Sequence, residues 1–166
     1  MDLNPYQSIY MQLNPFSHTW VLWGHLPQDT SWSIQSYTKI SKITYAEELI
    51  EVLKNLPDKL ITNYMLFLMR EGVDPMWEDP NNKEGGCFSY KVDNKLVKET
   101  WTNVCYCISG NSISTPILNE SIMGLSISPK KSFCIMKIWM KSCQFQDASA
   151  IKLPQLNPNG CIFKKH

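Results

Sequence analysis

The stretch over residues 74–86 places an aromatic ring directly beside a carboxylate, at Trp77 and Glu78. Pro75 and Pro80 flank the pair, and because proline fixes its own φ and restrains the preceding residue, this stretch cannot continue as a helix or a central strand. We predict a stiff loop whose indole stacks on a planar ring while the carboxylate accepts two N–H bonds from that ring's edge, such as N1–H and the exocyclic amine of guanine. The alternative is an indole folded onto the core beside a solvated glutamate.

The composition is that of one packed domain. The chain has 166 residues, of which 43% are hydrophobic and 19% are charged, so we expect a hydrophobic core and not a disordered segment. The formal net charge is +1, which argues against wholesale electrostatic binding to nucleic acid and leaves only a local site for such a contact. Six tryptophans in a chain of this length direct the search to a stacking site.

The cysteine and histidine patterns predict neither a metal site nor any other cofactor. The six cysteines contain no C-x-x-C pair, and the three histidines lie far from them in sequence. The chain shows no basic and apolar leader, which favours reduced thiols in a cytoplasmic protein, with the nucleus as a second possibility. The longest apolar run, residues 65–69, is far too short to span a membrane, so no membrane partner is expected.

Hydrophobic periodicity predicts many short strands and two helices. In chain order we predict strands over residues 18–24 and 37–43, a helix over 44–56, strands over 63–69 and 87–92, a helix over 95–109, and strands over 122–128, 133–140 and 160–165. Thr44 and Glu47 are predicted to form the capping box of the first helix. This order is typical of an α+β domain in which an antiparallel sheet carries helices on one face and leaves the other face open to a ligand.

The predicted domain spans residues 18–166 and is expected to be a monomer. Residues 1–17 are polar and proline-containing, and we interpret them as a flexible N-terminal arm. Residues 111–121 and 141–159 are predicted as loops or irregular structure. The tryptophans divide by context: Trp20, Trp23 and Trp101 lie on apolar faces and are predicted core residues, Trp32 and Trp77 lie on polar loops, and Trp139 fits either role.

Several of these residues stand in a recognisable order. The motifs are Trp20-x-x-Trp23, Trp32 on the next loop, Pro75-Met76-Trp77-Glu78-Asp79, Gly85-Gly86, Trp101, Gly110 and Ile138-Trp139. In order and spacing they resemble the eukaryotic translation initiation factor 4E family, whose members bind the 7-methylguanosine cap of messenger RNA. The resemblance runs from about residue 15 to residue 140. It implies a curved sheet with helices on the convex face and the cap pocket on the concave face. It also implies that the family's long third helix is reduced here to a segment near residues 147–153.

The resemblance also implies residue roles. Trp32 and Trp77 would sandwich the methylated base, Glu78 would read its N1–H and amine, and Trp139 would lie near the N7 methyl group. Methylation at N7 makes guanine cationic, and each indole face then contributes on the order of 0.5–2 kcal/mol of cation–π energy when desolvated. The implied function is non-catalytic: the protein binds capped messenger RNA and recruits it to translation initiation.

The phosphate side departs from the family pattern. The family's phosphate-binding arginine falls on Lys130, which offers a point charge without the planar fork of a guanidinium. Lys131 is the second candidate. A further lysine of the family falls near Ile135, for which Lys131 or Lys137 could substitute, and Cys87 takes the place of the basic residue that usually follows the glycine pair. We therefore predict looser triphosphate binding with a shallower salt dependence than is usual for the family. The alternative is that Lys130 and Lys131 form a solvated hairpin tip.

The partner-binding surface departs as well. By resemblance, the convex face docks a helical motif of the scaffold subunit 4G or of a repressor protein. The positions that correspond to the family's contacts are Pro15, Phe16, Ile50, Thr102 and Asn103. The family's indole and acid are absent, but Ile50 lies off the buried stripe of its helix and leaves an exposed apolar spot. We predict a partner of similar kind bound through an altered sequence.

Two alternatives to an initiation factor remain open from the sequence. One is a translational repressor, in which the same pocket holds messenger RNA while the convex face no longer admits 4G. The other is a cap-processing enzyme, which would need a metal-binding acidic cluster or a glycine-rich methyl-donor motif, and the sequence shows neither.

Overall fold

A computed structural model describes residues 12–166, which fold around one antiparallel sheet. The α-helices and strands, in chain order, are β1 Pro15–His25, β2 Thr38–Tyr45, α1 Ala46–Asn55, α2 Asp58–Asn63, β3 Met65–Arg70, β4 Gly86–Asp93, α3 Val97–Ser109, α4 Pro116–Ser121, β5 Ile122–Pro129, β6 Phe133–Met140 and β7 Ile162–Lys165. Short 3-10 turns lie at Ile34–Ser36, Ala148–Ala150 and Pro158–Gly160. Within the described residues, no helix is long and apolar enough to cross a membrane.

The seven strands are ordered β2-β1-β3-β5-β6-β4-β7, and each neighbouring pair is antiparallel. The sheet is curved, with the helices on its convex face. This confirms the predicted α+β fold with an antiparallel sheet that carries helices on one side. In the part of the chain that the structure describes, no α-helix lies on the concave face, as a ligand-binding face requires.

Alternation along the strands separates two apolar clusters, because successive side chains point to opposite faces of a sheet. Leu125 and Ile138, on neighbouring strands, are fully buried in the main core beneath the helices, together with Trp101 of α3. A smaller cluster on the opposite face includes Phe67 and Trp139. Among residues 12–166 no α-helix covers this second cluster, and its aromatic side chains form the floor of the concave face.

Helix α1 begins at Ala46 and not directly after Thr44, the residue that was predicted to cap it. The predicted cap, Thr44, is still part of β2, which continues to Tyr45 because that residue lies opposite the first residue of β1. The carboxylate of Glu48 accepts the N–H groups of Thr44 and Tyr45 at 2.6 and 3.1 Å. Glu47 instead accepts the backbone N–H of Asn14 at 3.0 Å, which attaches the chain preceding β1 to the start of the helix.

Two short helices were missed and correct the predicted loops. Helices α2 and α4 have six residues each, too few for an apolar stripe to repeat. Pro57 and Pro116 each lie at a helix start, where the missing N–H of proline costs nothing. The hydroxyl of Thr115 caps α4 by accepting the N–H of Leu118.

The structure also corrects the end of the predicted N-terminal arm and the predicted helical segment near residues 147–153. Residues 15–17 belong to β1 and not to a flexible arm, because Pro15 is held opposite Tyr45 of β2. The part of the predicted arm over residues 1–11 lies outside the described residues. In the tail, the reduced helical segment is a single 3-10 turn, Ala148–Ala150.

The glycine pair at the start of β4 allows an unusually close approach of two other segments. A Cβ atom on Gly85 would lie 1.8 Å from the carbonyl oxygen of Met140, and one on Gly86 would lie 2.5 Å from that of Lys164. Both positions therefore require glycine. Gly86 pairs with Lys165 of β7, and the carbonyl of Gly85 accepts the N–H of His166 at 3.1 Å. The pair thus docks the last strand at the end of the Trp77 loop.

Candidate functional site

A cavity of about 310 Å³ opens on the concave face of the sheet. Its principal polar and aromatic lining residues are Trp32, Tyr37, Phe67, Trp77, Glu78, Ser126, Ser128, Lys137 and Trp139. Four residues that sequence analysis predicted to bind the ligand, Trp32, Trp77, Glu78 and Trp139, therefore meet at one site. An aromatic-lined cavity with a few convergent polar groups is the usual form of a small-ligand site.

The two loop indoles are the most exposed tryptophans in this region. Trp32 is 50% exposed and Trp77 is 52% exposed. The predicted core tryptophans are confirmed as buried, with exposures of 1%, 5% and 0% for Trp20, Trp23 and Trp101. Indole faces that do not pack into the core remain available to stack on a flat ligand.

Trp139 combines the two roles that its sequence context left open. It is buried in the concave cluster and also lines the cavity. Its indole N–H donates to the hydroxyl of Ser126 at 2.9 Å, and its ring meets Phe67 edge-on with centroids 6.2 Å apart. These contacts fix its orientation at the base of the cavity.

The Trp77 loop is held by side-chain hydrogen bonds that sequence analysis did not assign. The buried carboxylate of Asp79 accepts the backbone N–H of Asp74 at 2.8 Å and that of Asn81 at 2.7 Å. The fully buried amide of Asn82 donates to the carbonyls of Asp74 and Met76 at 3.0 and 2.8 Å. The predicted stiffness therefore comes from an Asp and an Asn as well as from the flanking prolines. The available signal was the Asp-Pro-Asn-Asn run, since Asp and Asn often bond the backbone of tight turns.

The Trp32 loop is fixed by a buried histidine. The ring of His25 stacks on that of Trp32 with centroids 4.4 Å apart and planes 5° apart. Its Nε2 lies 2.9 Å from the carbonyl oxygen of Ser31, so it donates there, and this bond sets the tautomer. The hydroxyl of Ser36 donates to the carbonyls of Ser31 and Ser33 at 2.9 and 2.7 Å.

A second histidine lies against Trp77. The ring of His166 is stacked on Trp77 with centroids 6.1 Å apart and planes 14° apart, and it is tilted against Trp139 at 5.1 Å. Its Nδ1–H donates to the carbonyl of Asn82 at 2.8 Å. Burial lowers the pKa of His166, and the charge of Lys137 lowers it further, while the bond to Asn82 acts in the opposite direction.

The cavity is lined by one acidic and one basic side chain. Glu78 supplies a carboxylate and Lys137 an ammonium group, whose Nζ lies 5.9 Å from the centroid of the Trp77 ring. Burial and the nearby charge of Glu78 raise the pKa of Tyr37 to about 12. Tyr37 is therefore protonated at neutral pH and offers the cavity a hydroxyl instead of a second anion.

The predicted phosphate-binding lysines lie apart from the cavity lining. Lys130 and Lys131 are exposed at the tip of the β5–β6 hairpin, where the N–H of Lys130 donates to the carbonyl of Phe133 at 2.8 Å. Lys137, which the sequence offered only as a substitute, lines the cavity itself. The signal for it was present, because Lys137 and Trp139 are two residues apart on β6 and so share a face of the sheet.

The predicted partner residues lie on the elements of the opposite, convex face. Phe16 is half-buried against the main core, and Pro15 beside it is exposed. Ile50 of α1 is 39% exposed, which confirms that this position is an exposed apolar spot. Thr102 and Asn103 of α3 are half-buried.

Fold and site together define a class of binding protein. An open antiparallel sheet has helices on one face and an aromatic-lined cavity with one carboxylate and one ammonium group on the other. Among residues 12–166, no group of three or more His, Cys, Asp or Glu side chains is arranged to hold a metal ion.

Comparison with known proteins assigns the family. Residues 15–155 match the model of the family described as eukaryotic initiation factor 4E, and the chain therefore belongs to that family. It is 25% identical over 150 residues to eukaryotic translation initiation factor 4E-2 of Schizosaccharomyces pombe, which covers 85% of this chain. The chain spans 59% of the length of that relative, and 62% and 63% of two other fungal members.

Solved structures of the same family share the fold. The chain superposes on eIF4E-3 of Ascaris suum, solved with the m7G cap, with a TM-score of 0.77 and 18% identity over 93% of this chain and 92% of that chain. It superposes on a schistosome eIF4E, solved with m7GpppG and 4E-BP, with a TM-score of 0.72 and 20% identity over 80% of this chain and 75% of that chain.

Proposed function

We propose that the chain binds the 7-methylguanosine cap of messenger RNA and recruits capped messenger RNA to translation initiation. The observation that carries this proposal is the meeting of two half-exposed indoles, Trp32 and Trp77, with the carboxylate of Glu78 at one cavity. The solved eIF4E-3 of Ascaris suum holds the m7G cap, and the family assignment makes that ligand the natural candidate here.

The cavity suits a flat cation with a hydrogen-bonding edge. The methylated base enters between Trp32 and Trp77, where each indole face contributes on the order of 0.5–2 kcal/mol of cation–π attraction. Glu78 accepts N1–H and the exocyclic amine, a bidentate contact that discriminates between bases by roughly 1–3 kcal/mol. Trp139, fixed at the base of the cavity, contacts the N7 methyl group. The two neutral indole faces and the single carboxylate of Glu78 therefore complement the delocalised positive charge of the methylated base.

The test is a tryptophan fluorescence titration with m7GpppG and with unmethylated GpppG. Both ligands carry the same phosphates, so the comparison isolates the N7 methyl group and the positive charge that it brings. We expect saturable quenching by m7GpppG and an affinity for GpppG that is at least about tenfold lower, since the loss of cation–π energy on two faces exceeds roughly 1.4 kcal/mol. Equal affinities for the two ligands would contradict the proposal.

Lys137 is proposed as the phosphate contact within the cavity. We expect Lys137→Gln to lower the affinity for 7-methyl-GTP by about three- to tenfold, the usual cost of one partly exposed ion pair with phosphate. The affinity for 7-methyl-GMP, which places fewer phosphates along the sheet, should change less. The slope of affinity against salt concentration should also become shallower.

Two further lysine variants show which lysine contacts the phosphates. Lys130→Gln removes a charge at the exposed hairpin tip, and Lys54→Gln removes one from the helical face. A loss with Lys130→Gln that exceeds the loss with Lys137→Gln would return the phosphate role to the hairpin tip, as the sequence first indicated. The Lys54→Gln variant should bind like the unaltered chain.

The convex face is proposed to dock a helical segment of a scaffold subunit 4G or of a repressor protein. The schistosome eIF4E was solved with 4E-BP, and here Ile50 provides an exposed apolar position on α1. The other candidate contacts are Pro15, Phe16, Thr102 and Asn103. Binding of a peptide with the 4G motif supports recruitment to initiation. Cap binding without peptide binding supports the second candidate, a cap-binding repressor, which the altered residues of this face favour.

We further propose that the protein is a non-catalytic binding module acting in the cytoplasm. Its six cysteines are all free thiols in the structure, which suits a reducing compartment. The acidic residues at the Trp77 loop are engaged in recognition or loop support, and the absence of any product after incubation with m7GpppG is the expected result. Release of 7-methyl-GMP or of a methylated product would contradict the non-catalytic assignment.

A further inference from the structure

Each of the two exposed indoles is backed by an imidazole. His25 stacks on Trp32 at 4.4 Å and 5°, and His166 stacks on Trp77 at 6.1 Å and 14°. Both indoles line the cavity, whereas neither histidine is among its lining residues. The imidazoles therefore support the indoles from the side away from the ligand.

The ring of His166 is held in one place by contacts from three directions. Its Nδ1–H donates to the carbonyl of Asn82 at 2.8 Å, and its backbone N–H donates to the carbonyl of Gly85 at 3.1 Å. The ring also lies against both Trp77 and Trp139. His166 thus connects Trp77 in the wall of the cavity to Trp139 at its base. It directly follows β7, the strand that the glycine pair docks.

The remaining ring nitrogen of His166 has no hydrogen-bond acceptor. Nε2 is buried and unpartnered in the described structure. A neutral ring with its proton on Nδ1 tolerates this environment, but protonation would place a second N–H group there without an acceptor, which is costly in a buried position. The site is therefore built for an uncharged imidazole.

We propose that His166 is a positioning residue for the cationic base: its neutral ring holds Trp77 and Trp139 in their binding orientation, and its protonation weakens cap binding. This inference rests on the proposed function. It adds a group that does not touch the ligand and acts through the two indoles that do.

The physical reason is that both faces of one indole would then meet a positive charge. A base stacked on the front of Trp77 and an imidazolium behind it would lie roughly 10 Å apart. At an effective dielectric constant of about 20, their repulsion limits the loss of affinity to roughly 15- to 20-fold. The indole is also a poorer partner for a front-face cation when a back-face cation already attracts its π-electrons.

The surroundings of His166 set the direction of the pH dependence. The neighbouring groups are the neutral indoles of Trp77 and Trp139, the carbonyl of Asn82 and the ammonium group of Lys137. Burial and Lys137 lower the pKa of the ring, so it is neutral at pH 7. A cationic ligand lowers this pKa further, so binding is favoured at neutral pH, and affinity falls as the pH drops through the pKa of His166 in the free protein.

The test compares pH profiles of m7GpppG affinity for the unaltered chain and for His166→Phe. Phenylalanine preserves a flat ring behind Trp77 but cannot be protonated. We expect the unaltered chain to lose about three- to tenfold in affinity between pH 7.5 and a pH about one unit below the pKa of His166 in the free protein, and His166→Phe to lose clearly less. His166→Ala should bind more weakly at both pH values because the support itself is gone. His18→Phe, the same substitution at a histidine that contacts Glu120 and does not line the cavity, should retain the steep profile.

A second measurement reports on the ring directly. The imidazole resonance of His166, assigned by its loss in His166→Phe, should titrate with a lower pKa in the presence of m7GpppG than in its absence. Identical pH profiles for the unaltered chain and His166→Phe, or a pKa that does not move on binding, would overturn the inference alone. Failure of the unaltered chain to bind m7GpppG at pH 7.5 would instead overturn the proposed function and this inference with it.

Discussion

Replacement of Trp77 by alanine is expected to lower the affinity for m7GpppG by about a hundredfold while the domain stays folded. Stacking of a base on an aromatic side chain contributes roughly 1–3 kcal/mol, and the cation–π attraction adds about 0.5–2 kcal/mol, so the loss of one face costs on the order of 3 kcal/mol. Trp77 is 52% exposed, so its removal takes little apolar surface out of the core. Isothermal titration calorimetry measures the affinity, and thermal unfolding measures the stability.

Two further variants separate stacking from general effects of the substitution. Trp77→Phe retains a smaller aromatic face and should bind with an affinity between those of Trp77→Ala and the unaltered chain. Tyr106→Ala removes an aromatic ring of moderate exposure from α3 on the convex face and should leave cap affinity unchanged. An affinity of Trp77→Ala within about threefold of the unaltered chain, with the fold intact, would show that the ligand does not stack on this indole.

Much of the sheet could be predicted because successive side chains along a strand point to opposite faces. On β6, Cys134, Met136 and Ile138 are buried toward the helices while Lys137 and Trp139 face the cavity, and this alternation is visible in the sequence. Helices α2 and α4 escaped prediction because six residues do not display a helical period, so only the proline at the helix start could mark them.

The ligand-binding residues of the site could be predicted from the sequence, but the residues that hold them in place could not. Trp77 and Glu78 are adjacent in a proline-flanked loop, and that loop has a local signature. The contact between His166 and Asn82 joins residues 84 positions apart. It depends on how β7 docks against β4, which no local pattern specifies. Lys130 was favoured over Lys137 by resemblance alone, although the two-residue spacing of Lys137 and Trp139 already placed both on the concave face.

The supports explain why the exposed loops can form a precise site. An indole that is half exposed gains little from core packing, so without other contacts it would sample several rotamers. Asp79 and Asn82 fix the backbone on either side of Trp77, and His166 fixes its ring. On the opposite wall, His25 does the same for Trp32. A ligand that binds between walls arranged in advance loses less conformational entropy on binding.

Glu78→Gln is expected to lower the affinity for m7GpppG by about 30- to 100-fold and to reduce the preference for guanine. Glutamine keeps the size of the side chain but replaces one acceptor oxygen with an N–H donor, which then faces the N–H groups of the base. The loss of charge-assisted hydrogen bonds costs roughly 1.5–3 kcal/mol. The measurement is calorimetric titration with the guanine cap and with a 7-methylinosine analogue, which lacks the exocyclic amine but keeps the positive ring.

The double comparison distinguishes edge recognition from a general electrostatic attraction. If Glu78 reads the base edge, the unaltered chain prefers the guanine ligand to the inosine ligand by roughly 1–3 kcal/mol, and Glu78→Gln loses most of that preference. If Glu78 only attracts the positive ring, both ligands weaken equally and the preference survives, which would contradict the bidentate contact. Glu99→Gln, an exposed carboxylate in the first turn of α3, should alter neither affinity. Because the base is cationic whether or not it carries the amine, only an acceptor pair at Glu78 makes the two ligands respond differently.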